Sequence, residues 1–127
     1  MKHEYTGIKR ILSAFKNSWD GFLFAFHEEE AFRQDIMICT LLLIISFFMP
    51  VSGSEYLWLV FSLVFVLFAE LTNSAIETCI DRISLERHEL SKAAKDIGSL
   101  LVFLSFVNLI ACWAIVCWNF LYKISTS

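Results

Sequence analysis

The chain has 127 residues, 57% of them apolar and 18% charged, with a net charge of −3, whereas a globular domain carries about 45–50% apolar and about 25% charged residues. A small domain has much surface to cover with polar groups, so this apolar surplus, with a mean hydropathy of +0.65, points to lipid and not to a larger soluble core. The same figures exclude a disordered chain, a second domain, and nucleic-acid binding driven by bulk charge.

Residues 6–30 carry Ile8, Ile11, Leu12, Phe15, Trp19, Phe22, Leu23 and Phe26 at helical spacing, with Lys9, Arg10, Lys16, Asn17 and Asp20 between them. A Trp/Phe/Leu face beside Lys and Arg predicts an amphipathic helix lying in the membrane interface. The mixed, charged character of the first 35 residues does not match a secretory signal peptide. An uncharged run then predicts a first membrane span over residues 35–52, ending where Pro50 and Gly53 mark a turn. A second span is predicted over 55–80, a polar cytoplasmic loop over 81–96, and a third span over 97–122, each span near the roughly 20 residues that a helix needs to cross hydrocarbon. The expected fold is therefore an all-α membrane protein, a surface helix plus three transmembrane helices in one domain spanning 1–127.

Lys2, Lys9, Arg10, Lys16 and Arg33 precede the first span, and Arg82, Arg87, Lys92 and Lys95 lie between the second and third. By the positive-inside rule that side faces the cytoplasm, with Lys123 alone outside. Cys39, Cys79, Cys112 and Cys117 lie in or beside apolar runs without metal-ligand spacing, and are read as packing residues in a reducing compartment or in lipid.

The second span carries the chemistry. Counted at 100° per residue from Glu70, the side chains of Asn73, Ser74, Glu77 and Asp81 fall at roughly 300°, 40°, 340° and 20°, so all five share one stripe. Glu70 and Glu77 are about 10.5 Å apart along the axis, and a carboxylate at membrane depth normally faces a bundle interior or a wet cavity. Glu28, Glu29 and Glu30 close the surface helix at the same membrane level, and Lys95 and Asp96 open the third span. One or two carboxylates together with substrate phosphates are the usual holders of Mg²⁺, and a neighbouring cation suits a polyphosphate. Neither GxxxxGK[ST] nor GxGxxG occurs, and four glycines cannot build such loops, so any nucleotide chemistry is done by side chains on helices. From the residues alone, an ion or proton conduit lined by Glu70 and Glu77 stays open as an alternative.

The run Glu70-Leu-Thr-Asn-Ser-Ala-Ile-Glu77, followed by Asp81-Arg82, His88-Glu-Leu-Ser91 and Ala94-Lys-Asp-Ile-Gly-Ser99, resembles the prokaryotic integral-membrane diacylglycerol kinase family. Thr6-Gly7, Arg10, Ser18-Trp19, Gly21 and Ala31-Phe-Arg-Gln34 match it in order and spacing, so the resemblance covers about Thr6 to Trp118. It implies a homotrimer with active sites shared between subunits, in the bacterial inner membrane. Such an enzyme transfers the γ-phosphoryl of ATP to diacylglycerol at the cytoplasmic face, with Mg²⁺ as cofactor, to give phosphatidate in phospholipid recycling. Carried over by position, Glu70 is the general base and Glu29 and Glu77 hold the metal. Arg10, Asn17, Glu29, Glu77, Glu86, Arg87, His88, Lys95 and Asp96 bind ATP. Asn73 supports the site, and Arg10, Trp19, Arg33, Glu70, Ser99 and Trp113 contact the lipid substrate. Asn17 departs from the family pattern, standing where an aromatic residue is known. An undecaprenol kinase of the same superfamily shares the Glu70, Asn73 and Glu77 frame and is the alternative; the His88-Glu-Leu-Ser91 segment favours diacylglycerol.

Overall fold

A computed structural model of the chain describes residues 6–127, so Lys2, one of the basic residues counted for orientation, lies outside the described residues. Among the described residues four helices follow one another: α1 (Ile8–Glu28), α2 (Glu30–Phe47), α3 (Gly53–Ile83) and α4 (Glu89–Thr126). Among the described residues there is no strand.

Helix α1 starts after Gly7, whose φ of 64° is a conformation that L side chains rarely adopt. Its apolar face is left uncovered, with Ile8 76% and Phe15 72% exposed and only Ala25 buried. Glu29, in extended conformation, is the single residue separating α1 from α2. Arg33 spans this break, donating from Nη1 to the Phe26 carbonyl at 2.7 Å and the His27 carbonyl at 3.0 Å. These are carbonyls of the last turn of α1, which lack partners within their own helix. Phe22 meets Phe32 edge-on at 5.9 Å and completes the hinge.

The α2–α3 turn holds Pro50 and opens α3 with a capping box. Ser52 Oγ accepts from the Glu55 amide at 3.2 Å, and Glu55 Oε1 accepts from the Ser52 amide at 3.3 Å. At the other end of α3, helical structure runs through Ile83 and resumes at Glu89, where His88 Nδ1 accepts from the Leu90 amide at 3.1 Å. Most of the polar segment 81–96, read from sequence as a loop, is thus helical, and the connection is only Ser84 to His88. Asp81, Arg82, Glu89, Lys92, Lys95 and Asp96 lie on helix extensions beyond the apolar stretch, and Glu86 and Arg87 on the connection between them.

Helices α3 and α4 form an antiparallel hairpin. Lys95 Nζ lies 2.9 Å from Asp81 Oδ1 at one end, and Lys123 Nζ lies 3.9 Å from Glu55 Oε1 at the other. Exposed pairs of this kind contribute little stability, but they mark the register of the two helices. The core of the bundle is Cys39 of α2, Leu63 and Val66 of α3, and Leu109 of α4, with Leu42, Leu43, Leu67, Phe106 and Trp113 packed around it. Ser46, Ser62 and Ser105 are fully buried, each bonding at 2.6 Å to the carbonyl three residues back in its own helix. Small residues satisfied in this way let helices approach closely where lipid supplies no hydrophobic drive.

Among the described residues, two helices, α3 and α4, are long and apolar enough to cross a membrane. Three spans were expected. The first of them, expected over 35–52, overlaps α2 only at 35–47, and the 18 residues of α2 include Glu30, Arg33 and Asp35 in its opening turns.

Candidate functional site

The stripe predicted on the second span exists on α3, and its depth varies. Glu70 is 6% exposed and Ser74 7%, while Asn73 and Glu77 are half-buried and Asp81 is exposed. The stripe therefore runs from the packed interior to the end of the bundle that carries Lys95. Asn73 Nδ2 donates to Glu77 Oε1 at 3.4 Å, and Asn73 Oδ1 is buried without a donor. Gly98 of α4 sits against this amide, and a Cβ at Gly98 would fall on the Asn73 side chain. The glycine is required by that close approach of α4 to α3.

Glu29 reaches the same place from the α1–α2 break. Burial raises its pKa, and the charges of Glu77, Glu28 and Asp81 raise it further. A carboxylate held against other carboxylates is the electrostatic setting that a divalent cation relieves, and Mg²⁺ takes few protein ligands when phosphates supply the rest. No group of three or more His, Cys, Asp or Glu side chains among the described residues could hold a metal by itself. The donor set fits a metal brought in with phosphate.

Beyond Glu77 lies an open cavity of about 390 Å³, lined by Asp81, Glu86, Arg87, His88, Lys92, Lys95 and Asp96 among others. It gathers the five nucleotide-binding candidates expected from the short connection and the start of α4. Lys95 is paired with Asp81, while Asp96 accepts from Lys92 at 2.7 Å, a bond that raises the lysine's pKa. Arg10 and Asn17 are exposed on α1 and do not line this cavity.

The residues expected to contact lipid are dispersed. Trp19 is exposed on α1 and stacks on Phe22 at 5.5 Å, near a largely apolar groove of about 560 Å³ between α1 and α3 whose walls include Ser18, Gly21, Phe22, Leu71 and Ser74. Arg33 braces the α1–α2 break, and Ser99 is exposed on α4. Trp113 packs against the core, with its Nε1 buried and lacking a partner.

One residue of the site was missed in the sequence. Asp35 of α2 is 7% exposed and lies within hydrogen-bonding reach of the Glu70 side chain, and its Oδ2 is buried without a donor. In the sequence it marks only the start of an uncharged run. Its spacing held the signal, because Phe32, Asp35, Cys39 and Ser46 follow a 3-4-7 pattern on one helical face, and all four are buried.

Comparison with known proteins places these residues in a family context. The profile of the family described as Prokaryotic diacylglycerol kinase matches residues 16–117. A relative named Diacylglycerol kinase from Pseudomonas aeruginosa is 44% identical over 111 residues, covering 87% of this chain and 90% of its own. Proteins of the same name from Escherichia coli K12, 37% identical over 119 residues (94% and 98% covered), and Haemophilus influenzae, 39% identical over 103 (81% and 87%), are similar along most of their length.

Proposed function

This chain belongs to the prokaryotic diacylglycerol kinase family, and from that premise we propose that it transfers the γ-phosphoryl group of MgATP to the free hydroxyl of 1,2-diacylglycerol, giving phosphatidate and ADP. The observation that carries this reading is the graded stripe on α3, a buried Glu70 continuing through Asn73 and Glu77 to a cavity lined by Arg87, His88 and Lys95. A lipid hydroxyl and a water-soluble polyphosphate need opposite surroundings, and one helix face supplies both.

Phosphoryl transfer asks chiefly for positioning and charge stabilisation. Arg87 and Lys95 attract the polyphosphate, and Arg10 and Asn17 come to it from α1. Glu29 and Glu77 hold the Mg²⁺ that accompanies ATP, and Asn73 fixes the Glu77 carboxylate. Bound Mg²⁺ offsets the charge of the phosphate oxygens. Glu70 accepts the proton of the acceptor hydroxyl as its oxygen forms a bond to the γ-phosphorus, and the bond from that phosphorus to the β–γ bridging oxygen breaks to release ADP. The groove between α1 and α3, which reaches Ser74 one turn from Glu70, admits the acyl glycerol from the bilayer. Trp19, Arg33, Ser99 and Trp113 complete the lipid contacts.

In this reading α2 is the third span, its opening charges lying at the cytoplasmic headgroup level, and α1 lies in the interface of the bacterial inner membrane. Three such chains assemble, because the helices leave large apolar side chains uncovered and because Arg10 and Asn17 lie outside the cavity of their own chain. A coupled ADP-release assay in mixed micelles tests the function. Turnover that requires dioleoylglycerol is the expected result. Turnover with undecaprenol alone, or none with either lipid, would overturn it.

A further inference from the structure

Two acidic side chains from different helices meet in the least hydrated part of the site. Asp35 of α2 and Glu70 of α3 are 7% and 6% exposed. Helices α2 and α3 run antiparallel with Cys39 clustered with Leu63 and Val66, so Asp35, one turn before Cys39, stands opposite Glu70, one turn after Val66, and the two carboxyls act on each other directly. No cation is paired with either; the described ion pairs are Lys92–Asp96, Lys95–Asp81 and Lys123–Glu55. An ionised carboxylate only accepts hydrogen bonds, so two of them in contact bind nothing and repel. Asp35 Oδ2 shows the shortfall directly, being buried without a donor. One proton held between the two carboxyls turns the contact into a charge-assisted hydrogen bond and leaves a single negative charge at that depth.

We propose that Asp35 is a positioning residue for the phosphoryl transfer, sharing one proton with Glu70 so that Asp35 carries it as donor while the Glu70 carboxylate is aimed at the lipid hydroxyl. This rests on Glu70 being the base. When the acceptor hydroxyl attacks, its proton passes to Glu70, so the pair holds two, and one leaves to water before the next turnover. The other titratable groups whose charges act on Glu70 are Glu29 at the α1–α2 break and Glu77 on α3, and Cys39 faces Asp35 one turn along α2. None of these is a cation able to replace the shared proton.

The test compares Asp35→Leu with Asp35→Asn in the full-length protein, in dioleoylglycerol mixed micelles. The leucine variant removes the donor, and loss of a hydrogen bond to a charged group lowers kcat by about tenfold to a hundredfold, with the KM for MgATP unchanged. The asparagine variant supplies a permanent amide donor and recovers kcat to within about fivefold of the native value. It also abolishes a loss of rate on the alkaline side, which in the native enzyme follows departure of the shared proton. Native kcat in Asp35→Leu, an asparagine variant as impaired as the leucine one, or an alkaline limb unchanged in Asp35→Asn would each overturn the proposal. A readout independent of turnover is the infrared C=O stretch of a protonated carboxyl at neutral pH, present in the native protein and lost in both Asp35→Asn and Glu70→Gln. Absence of that band in the native protein overturns the shared proton, whereas a band without lipid-dependent turnover overturns the kinase reading alone.

Discussion

At the scale of single residues, the site depends on where one carboxylate stops being solvated and the next begins. Glu70→Gln keeps size and hydrogen-bonding capacity but cannot take a proton. A folded protein that binds MgATP and has almost no turnover is expected, and kcat within about twofold of native would remove Glu70 as the base. Glu77→Gln takes away a hard oxygen ligand and should raise the Mg²⁺ concentration for half-maximal rate at least tenfold, more than it changes the KM for lipid. Magnesium titration of the purified variant checks this, and an unaltered requirement would refute the metal assignment. Gly98→Ala places a methyl group against the Asn73 amide, and over-packing of this kind costs about 1–3 kcal/mol. Because Asn73 holds Glu77, the methyl group should lower both the unfolding temperature and kcat; a variant native in both measurements would show that the helices can part freely there.

The helices themselves separate into two roles. The α3–α4 hairpin, with α2 packed on it, carries the core, and the hairpin has ion pairs at both ends, whereas α1 is fastened mainly through Ala25, the Phe22–Phe32 contact and the Arg33 bonds across the break at Glu29. The register of the hairpin puts Ser52 at the end of Glu55 and Lys123, and Ser91 at the end of Asp81 and Lys95. Cysteine labelling from outside intact cells, on a background whose native cysteines are replaced, should modify Ser52→Cys and Ser125→Cys and leave Ser91→Cys untouched. Modification of Ser91→Cys in sealed cells would reverse the orientation and place the cavity proposed for the nucleotide away from the cytoplasm. Helical extent was only partly legible here. The uncharged runs revealed the apolar stretches, but the charged turns at residues 81–83 and 89–96 continue the helices into water, where composition alone reads as loop.

Over the whole molecule, the exposed apolar surface exceeds what a soluble protein could carry. Ile110 and Trp118 of α4 are 67% and 71% exposed, and every other helix also presents large uncovered side chains. Lipid and neighbouring copies of the chain are the cover proposed for that surface. If the nucleotide site takes Arg10 from one subunit and Lys95 from the next, mixing inactive Arg10→Leu and Lys95→Leu chains before assembly should restore about one quarter of native activity, the fraction of intact sites in randomly assorted symmetric trimers. No activity in the mixture would confine both residues to one chain.

The sequence by itself determined the helical class, the apolar stretches, the acidic stripe and the family, because each rests on local periodicity or on a contiguous motif: Glu70, Asn73 and Glu77 share a face by spacing alone. Only the tertiary structure decided which of those groups are deprived of water and which partners they meet. Asp35 looked like the edge of a span, yet α2 packs so that it faces Glu70 thirty-five positions away. Gly98 acquired its meaning from Asn73 on another helix, and Lys95 its partner in Asp81. Pattern along a chain gives direction around one helix axis. Burial and the pairing of charges depend on how two axes cross, and that is set by packing of the core residues Cys39, Leu63, Val66 and Leu109.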